Sequence, residues 1–178
     1  GEIKNVNPEL LNVLLSNGFL PVVSPIGLGE DGITYNINAD TTASHIAVAI
    51  NAYKIIFMTD VDGVKKDGEL IEQFSSNLAE SMIKKNLISG GMRPKVNACL
   101  YSVRNGVQSA QIINGTVEHS VIAELFTDKG IGTKIILWNS QVICLIIRKF
   151  LKMFFYLGII VSFWSAFQDN IPFVAWYI

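Results

Sequence analysis

The sequence predicts a layered α/β fold built on a mainly parallel sheet. One observation is Lys54-Ile55-Ile56-Phe57-Met58-Thr59-Asp60, a continuous apolar run of strand length. That pattern suits a strand buried on both faces of a parallel sheet. A second is the alternation of short apolar runs with helix-length amphipathic stretches on either side of it. The third is composition. Hydrophobic residues make up 50% of the 178 and charged residues 16%, which excludes a disordered chain. A net charge of −1 supplies no basic field for nucleic acid. Two cysteines, Cys99 and Cys144, make no disulfide framework and fit a reducing compartment.

The elements follow in order. Asn7-Pro8-Glu9 opens a helix, with Asn as cap, Pro in the first turn and Glu at the positive end of the dipole. Leu10, Leu11, Leu14 and Leu15 form its apolar stripe, and Asn17-Gly18 ends it. Phe19 to Ser24 reads as a short strand, and Ile33 to Ile37 as another after a Gly-rich turn. A helix from about Asp40 to Asn51 precedes the central strand. Helices are expected at about 76–86, 92–105 and 119–127, with strands at Val107–Ile113 and Thr133–Leu137.

Chemistry changes near residue 136. Residues 1–135 carry 25 charged residues, whereas 136–178 carry four: Arg148, Lys149, Lys152 and Asp169. The tail also holds 11 of the 18 aromatics, so a boundary is placed there. Two readings of 136–178 stay open. One is a membrane-associated segment, Phe150 to Phe167, with the basic residues on the cytoplasmic side. The other is translated read-through of AT-rich sequence. The uncharged part, Met153 to Phe167, falls short of the ~20 residues that span a bilayer, which favours the second.

Some motifs fail on inspection. Gly27-Leu28-Gly29-Glu30-Asp31-Gly32 matches a dinucleotide fingerprint, but a strand-like run follows it instead of a helix. A hairpin turn is expected there. Asp60-Val61-Asp62-Gly63 lacks the glycine and glutamate a calcium loop needs. His45 and His119 have no metal-ligand spacing. Asn114-Gly115-Thr116 reads as a turn.

Three motifs survive. Asn36 and Asn38 alternate on one strand face, with Asp40 at the strand-to-helix junction. Asp40 is either a helix cap or part of a polar cluster at a strand end, where open α/β sheets bind ligands. Ser89-Gly90-Gly91-Met92-Arg93-Pro94-Lys95 places two cations at a helix N-terminus. That placement costs a few tenths to ~1 kcal/mol each unless an anion binds. Thr59 to Val64 forms a loop after the buried strand.

Together with Val6–Leu11, Ser24–Gly27 and Leu125-Phe126-Thr127-Asp128-Lys129-Gly130-Ile131-Gly132-Thr133, these stretches resemble the acetylglutamate kinases of the amino acid kinase family. The resemblance covers about residues 1–135. It implies a three-layer α/β/α sandwich and, specifically, the C-terminal nucleotide lobe, with 136–178 outside the family pattern. It implies transfer of the γ-phosphoryl of ATP, with Mg²⁺, to the side-chain carboxylate of N-acetyl-L-glutamate, the second step of arginine biosynthesis. By that resemblance Lys95 stabilises the transferring phosphoryl, Asp40 organises it, and Asn36 binds substrate. Asp60, Val61, Asp62, Gly63, Val64 and Lys65, with Leu87, Ile88 and Ser89, line ATP. Glu124 and Gly130 match an L-arginine effector site, with Gln111 where regulated members carry His. The resemblance further implies homo-oligomers, a PII-type regulator in some members, and a cytoplasmic or plastid setting. The family's N-terminal motifs do not occur in this chain, so a fragment inactive alone is expected. Carbamate or aspartate kinase, or a non-catalytic remnant that binds ATP or a partner, are the competing readings.

Overall fold

A computed structural model describes residues 1–127 and 130–137. Its first helix, α1 (Glu9–Ser16), begins at the Asn-Pro-Glu signal, but Pro8 holds the cap position. Asn7 stands one residue earlier, where its Oδ1 accepts the Glu9 N–H at 3.0 Å. The leucine stripe finds no core: no residue of α1 is buried, and Leu10 is 68% exposed.

Phe19–Ser24 is not a strand. Pro21 removes a ladder donor, and no described strand lies beside this segment. The Gly-rich turn is the expected hairpin. β1 (Ile26–Leu28) pairs antiparallel with β2 (Thr34–Asn36). The Gly29 N–H donates to the Ile33 carbonyl at 2.8 Å. Asp31 takes the Tyr35 hydroxyl at 2.7 Å and the Ile33 N–H at 3.0 Å. The Tyr35 hydroxyl is the main reason the Asp31 carboxyl is held below its ordinary range.

Because β2 stops at Asn36, the expected alternation of Asn36 with Asn38 ends there. Asn38 instead caps α2 (Ala39–Ala49), its Oδ1 accepting the Thr41 N–H at 3.1 Å. Asp40 therefore lies inside the first turn and is not the cap, which leaves its carboxylate free for tertiary contacts.

β3 (Lys54–Thr59) buries Ile55 and Phe57, but Met58 is 52% exposed. The two faces are thus unequally covered, Ile55 and Phe57 facing the core and Met58 facing outward. The small hairpin β4 (Lys65–Lys66) and β5 (Glu69–Leu70) follows, then β6 (Gln73–Ser75). Strands this short carry no readable periodicity, and the sequence did not reveal them. α3 (Ser76–Lys84), capped by Ser75, and α4 (Met92–Arg104) lead into β7 (Ser109–Asn114). α5 (Ser120–Phe126) and β8 (Thr133–Ile136) complete the described elements.

The sheet order is β3-β7-β8-β6, with β3/β7 and β6/β8 parallel and β7/β8 antiparallel, so it is mainly parallel as expected. β7 is the central strand, and both its faces are covered. Ala110 and Ile112 pack in the core with Val96, Cys99 and Val103 of α4 and Ala79 and Met82 of α3. Those α4 residues recur at i, i+3 and i+7, one helix face. Gln111 lies on the opposite face by strand alternation and donates from Nε2 to the Ile131 carbonyl at 2.7 Å. α5 packs against β7 as well. Helices α2–α4, the sheet, and α5 with residues 130–132 are thus the three layers.

Among the described residues no helix is long and apolar enough to cross a membrane. Phe150–Phe167, and the tail as a whole, lie outside the described residues.

Candidate functional site

Short connections set the geometry. Residues 105–108 join α4 to β7, so α4 must run back along the sheet. Its 13 residues and the six of β7 both span about 20 Å. The N-terminus of α4 therefore lies at the C-terminal ends of the parallel pair. The same reasoning applied to α2 and β3 brings the N-terminus of α2 to that edge, and α2 and α4 pack together. Ligands of open α/β sheets bind at this edge.

Asp40 and Lys95 meet there. Lys95 Nζ lies 3.0 Å from each carboxylate oxygen of Asp40, with the two side chains 19% and 20% exposed. Asp40 sits favourably in the first turn of α2. Lys95 sits against the dipole of α4, and Asp40 offsets that cost while fixing the ammonium in place. Gly91 occupies the α4 cap position without a side-chain cap bond. The Arg93 N–H is taken by the Gly90 carbonyl at 3.3 Å and Pro94 has none, so it is the positive end of the α4 dipole, beside Lys95, that favours an anion there.

Cys99, one turn further along α4, is fully buried. Burial, and secondarily the Asp40 charge, push its thiol far above the usual range. It is expected to resist thiol-specific alkylation at pH 8 until the protein unfolds. In the Cys144→Ser variant, native-state labelling at the rate of free cysteine would contradict this placement.

The loop after β3 is held from the side. Asp62 Oδ1 accepts from Asn114 Nδ2 at 3.1 Å, and Lys65 Nζ lies 3.0 Å from Asp62 Oδ2. Asn114 also closes its own turn, its Oδ1 accepting the Thr116 N–H at 2.9 Å. The Asn114 amide, and after it Lys65, hold the Asp62 carboxyl below its ordinary range. A depressed carboxyl pKa stabilises the loop above the unfolded value and loses that contribution as pH falls through the folded one. Asn114→Ala should therefore move the Asp62 titration upward, as read by carboxyl NMR. An unmoved titration would dismiss the clamp.

Two of the expected nucleotide contacts have buried side chains. Val64 is 2% exposed and Ile88 3%, both in the core, so only their backbones can face a ligand. Gly63 cannot carry a side chain: an added Cβ would stand 2.5 Å from Thr133 Oγ1. That hydroxyl accepts the Val64 N–H at 2.8 Å and donates to the Ile71 carbonyl at 2.8 Å, tying the loop to β8. Asp60, Val61, Leu87 and Ser89 are exposed, as is Asn36 at the end of β2. His45 stacks on Tyr101. Among the described residues no group of three His, Cys, Asp or Glu is placed to hold a metal.

A second polar cleft of about 180 Å³ opens at the start of β3, lined by Lys54, Gln111, Glu124, Thr127, Gly130 and Lys134 among others. Glu124 is 5% exposed, not a solvated helix residue. Its Oε1 lies 2.7 Å from Lys54 Nζ, and its Oε2 accepts the Ile131 N–H at 2.8 Å. Gly130 has φ +62°, and a Cβ there would stand 2.5 Å from Glu124 Oε2. Gln111 Oε1 is buried with no partner among the described residues. Lys54 and Asn114 were not singled out in the sequence. A cation opening an otherwise apolar strand was the available signal for Lys54.

The fold is that of an open α/β protein with a carboxylate-held lysine at the ligand-binding edge of its sheet. The chain belongs to the amino acid kinase family, whose model matches residues 1–114. It is 52% identical over 136 residues to acetylglutamate kinase of Campylobacter hominis, covering 76% of this chain and 48% of that protein. It is 49% identical over 135 residues to acetylglutamate kinase of Kosmotoga olearia, with the same coverages. The chain thus spans about half the length of the curated relatives it matches. Among solved structures it is similar to N-acetylglutamate synthase from Neisseria gonorrhoeae in complex with coenzyme A and L-arginine. That likeness has TM-score 0.72 and 31% identity, covering 76% of this chain and 32% of that one. The fold is shared with Giardia carbamate kinase, at TM-score 0.59 and 18% identity over 72% of this chain and 47% of that one.

Proposed function

We propose that residues 1–135 are the nucleotide lobe of an acetylglutamate kinase. The Lys95–Asp40 pair at the α4 N-terminus carries this reading, supported by the near-50% identity to proteins of that name. A substrate carboxylate is already ionised at neutral pH, so the reaction needs no strong base. It needs in-line placement and neutralisation of the γ-phosphoryl oxygens. In this reading Lys95 meets those oxygens, and the bonds from Asp40 restrict the ammonium's rotation. The positive end of the α4 dipole adds to this, and Asn36 stands two residues before the α2 cap to orient substrate. ATP enters as its Mg²⁺ complex along Asp60–Lys65 and Leu87–Ser89; Mg²⁺ supplies further charge neutralisation.

The second cleft suits L-arginine as an effector. Glu124 matches a guanidinium, Lys54 and Lys134 match a carboxylate, and Gln111 Oε1 lacks a donor that the ligand's cationic groups supply. A structural relative solved with L-arginine supports this choice.

The test uses this chain fused behind the part of the Campylobacter hominis relative that lies outside the match. ADP release should depend on N-acetyl-L-glutamate. Turnover with carbamate or aspartate and none with acetylglutamate would overturn the assignment.

A further inference from the structure

The polar cleft and the loop after β3 share one short segment, 130–134. Ile131 belongs to the cleft side: its N–H is held by Glu124 Oε2 at 2.8 Å, and its carbonyl accepts from Gln111 Nε2 at 2.7 Å. Lys134 lines the cleft as well. Thr133, next to it, faces the other way by strand alternation and is fully buried. Its hydroxyl takes the Val64 N–H at 2.8 Å and donates to the Ile71 carbonyl at 2.8 Å. Ile71 in turn donates its N–H to the Val64 carbonyl at 2.9 Å. Both backbone polar groups of Val64, inside Asp60–Lys65, therefore depend on this corner.

The segment has no slack. Gly132 has φ +76°, and a Cβ there would overlap the Ile112 carbonyl oxygen. Packed backbone of this kind moves between discrete positions and does not deform gradually. A displacement of Ile131 thus reaches Thr133, two residues on, and through it Val64. The cleft holds the means of displacing it. Glu124 divides its oxygens between Lys54 Nζ and the Ile131 N–H. A guanidinium that pairs with both oxygens competes with both bonds. We propose that Thr133 is a positioning residue that couples the two sites. A guanidinium ligand in the cleft draws Glu124 off Ile131, shifts 130–134 and loosens the hold of Thr133 on Val64, so nucleotide affinity falls. This coupling rests on the cleft taking L-arginine and on Asp60–Lys65 lining ATP, and it adds the route between them.

Calorimetry on the full chain measures ATP with Mg²⁺ and L-arginine first separately, then each at saturation of the other. Arginine is expected to raise the Kd of ATP at least about fivefold, and ATP to raise that of arginine by the same factor. Thr133→Val keeps the shape and removes the hydroxyl; it should bind both ligands with the factor reduced below about two. Thr133→Ser restores the hydroxyl and should restore the coupling. A merely structural role would weaken ATP binding in Thr133→Val and leave the factor unchanged, which overturns the proposal. Amide exchange covers a variant that does not fold. In the unaltered chain L-arginine should speed exchange at the Val64 N–H roughly tenfold or more, and an unmoved or slowed rate overturns the proposal. So does independent binding of the two ligands. A chain that binds no ATP, or no arginine, is recognised in the separate titrations: it removes the nucleotide or the effector reading, and the coupling falls with it.

Discussion

Lys95→Ala in the fused, assembled enzyme is expected to lower kcat by about 10²–10³-fold, the usual cost of removing one preorganised donor from a developing charge. The lysine contributes in the transition state, so KM for ATP should move much less than kcat. Asp40→Asn should cost less, because the ammonium remains and only its placement loosens. Lys95→Arg should not restore the rate, since a planar fork cannot replace a point charge held 3.0 Å from both carboxylate oxygens. Melting temperatures separate this from simple unfolding: the pair is partly solvated, and its loss should cost at most about 1–2 kcal/mol of stability. If Lys95→Ala retains more than a tenth of wild-type kcat, Lys95 is a structural partner of Asp40 and the proposed chemistry fails.

Much of this site was legible in the sequence because its signals are local. Paired glycines before Met92, a proline in the first turn and a lysine one turn in announce a helix N-terminus where an anion is wanted. Asp40 was placed at the right junction, but its role was ambiguous until Asn38 took the cap. That is a competition between two neighbouring polar residues, and no periodicity decides it. The polar cleft was less legible. The effector match pointed to Glu124, but its burial was not legible, because burial of a carboxylate depends on Lys54, seventy residues earlier, and on an amide at Ile131. The strand expected at Phe19–Ser24 failed for the opposite reason. Its residue pattern is right, but a strand exists only through its neighbours, and the described residues supply none.

Glu124→Gln tests the cleft, and its consequences divide into two measurable parts. Gln keeps the shape and an acceptor for the Ile131 N–H, but it removes the charge facing Lys54. Breaking a fully buried pair costs about 3–5 kcal/mol. Lys54 is 21% exposed and regains some solvent, so a loss of about 2 kcal/mol is expected, read from denaturant midpoints. Arginine binding should suffer separately, because the guanidinium loses its carboxylate. The concentration for half-inhibition of the assembled enzyme should rise tenfold or more, which is about 1.4 kcal/mol. The double variant Lys54→Met with Glu124→Gln distinguishes the two. With both charges gone no unpaired ion is left in the cleft, so most of the lost stability should return. Arginine inhibition should stay weak, since the carboxylate is still absent. Recovery of inhibition together with stability would mean that Glu124 acts only by holding Lys54. An inhibition curve unchanged by Glu124→Gln, or an assembled enzyme indifferent to millimolar arginine, would remove the effector from this cleft.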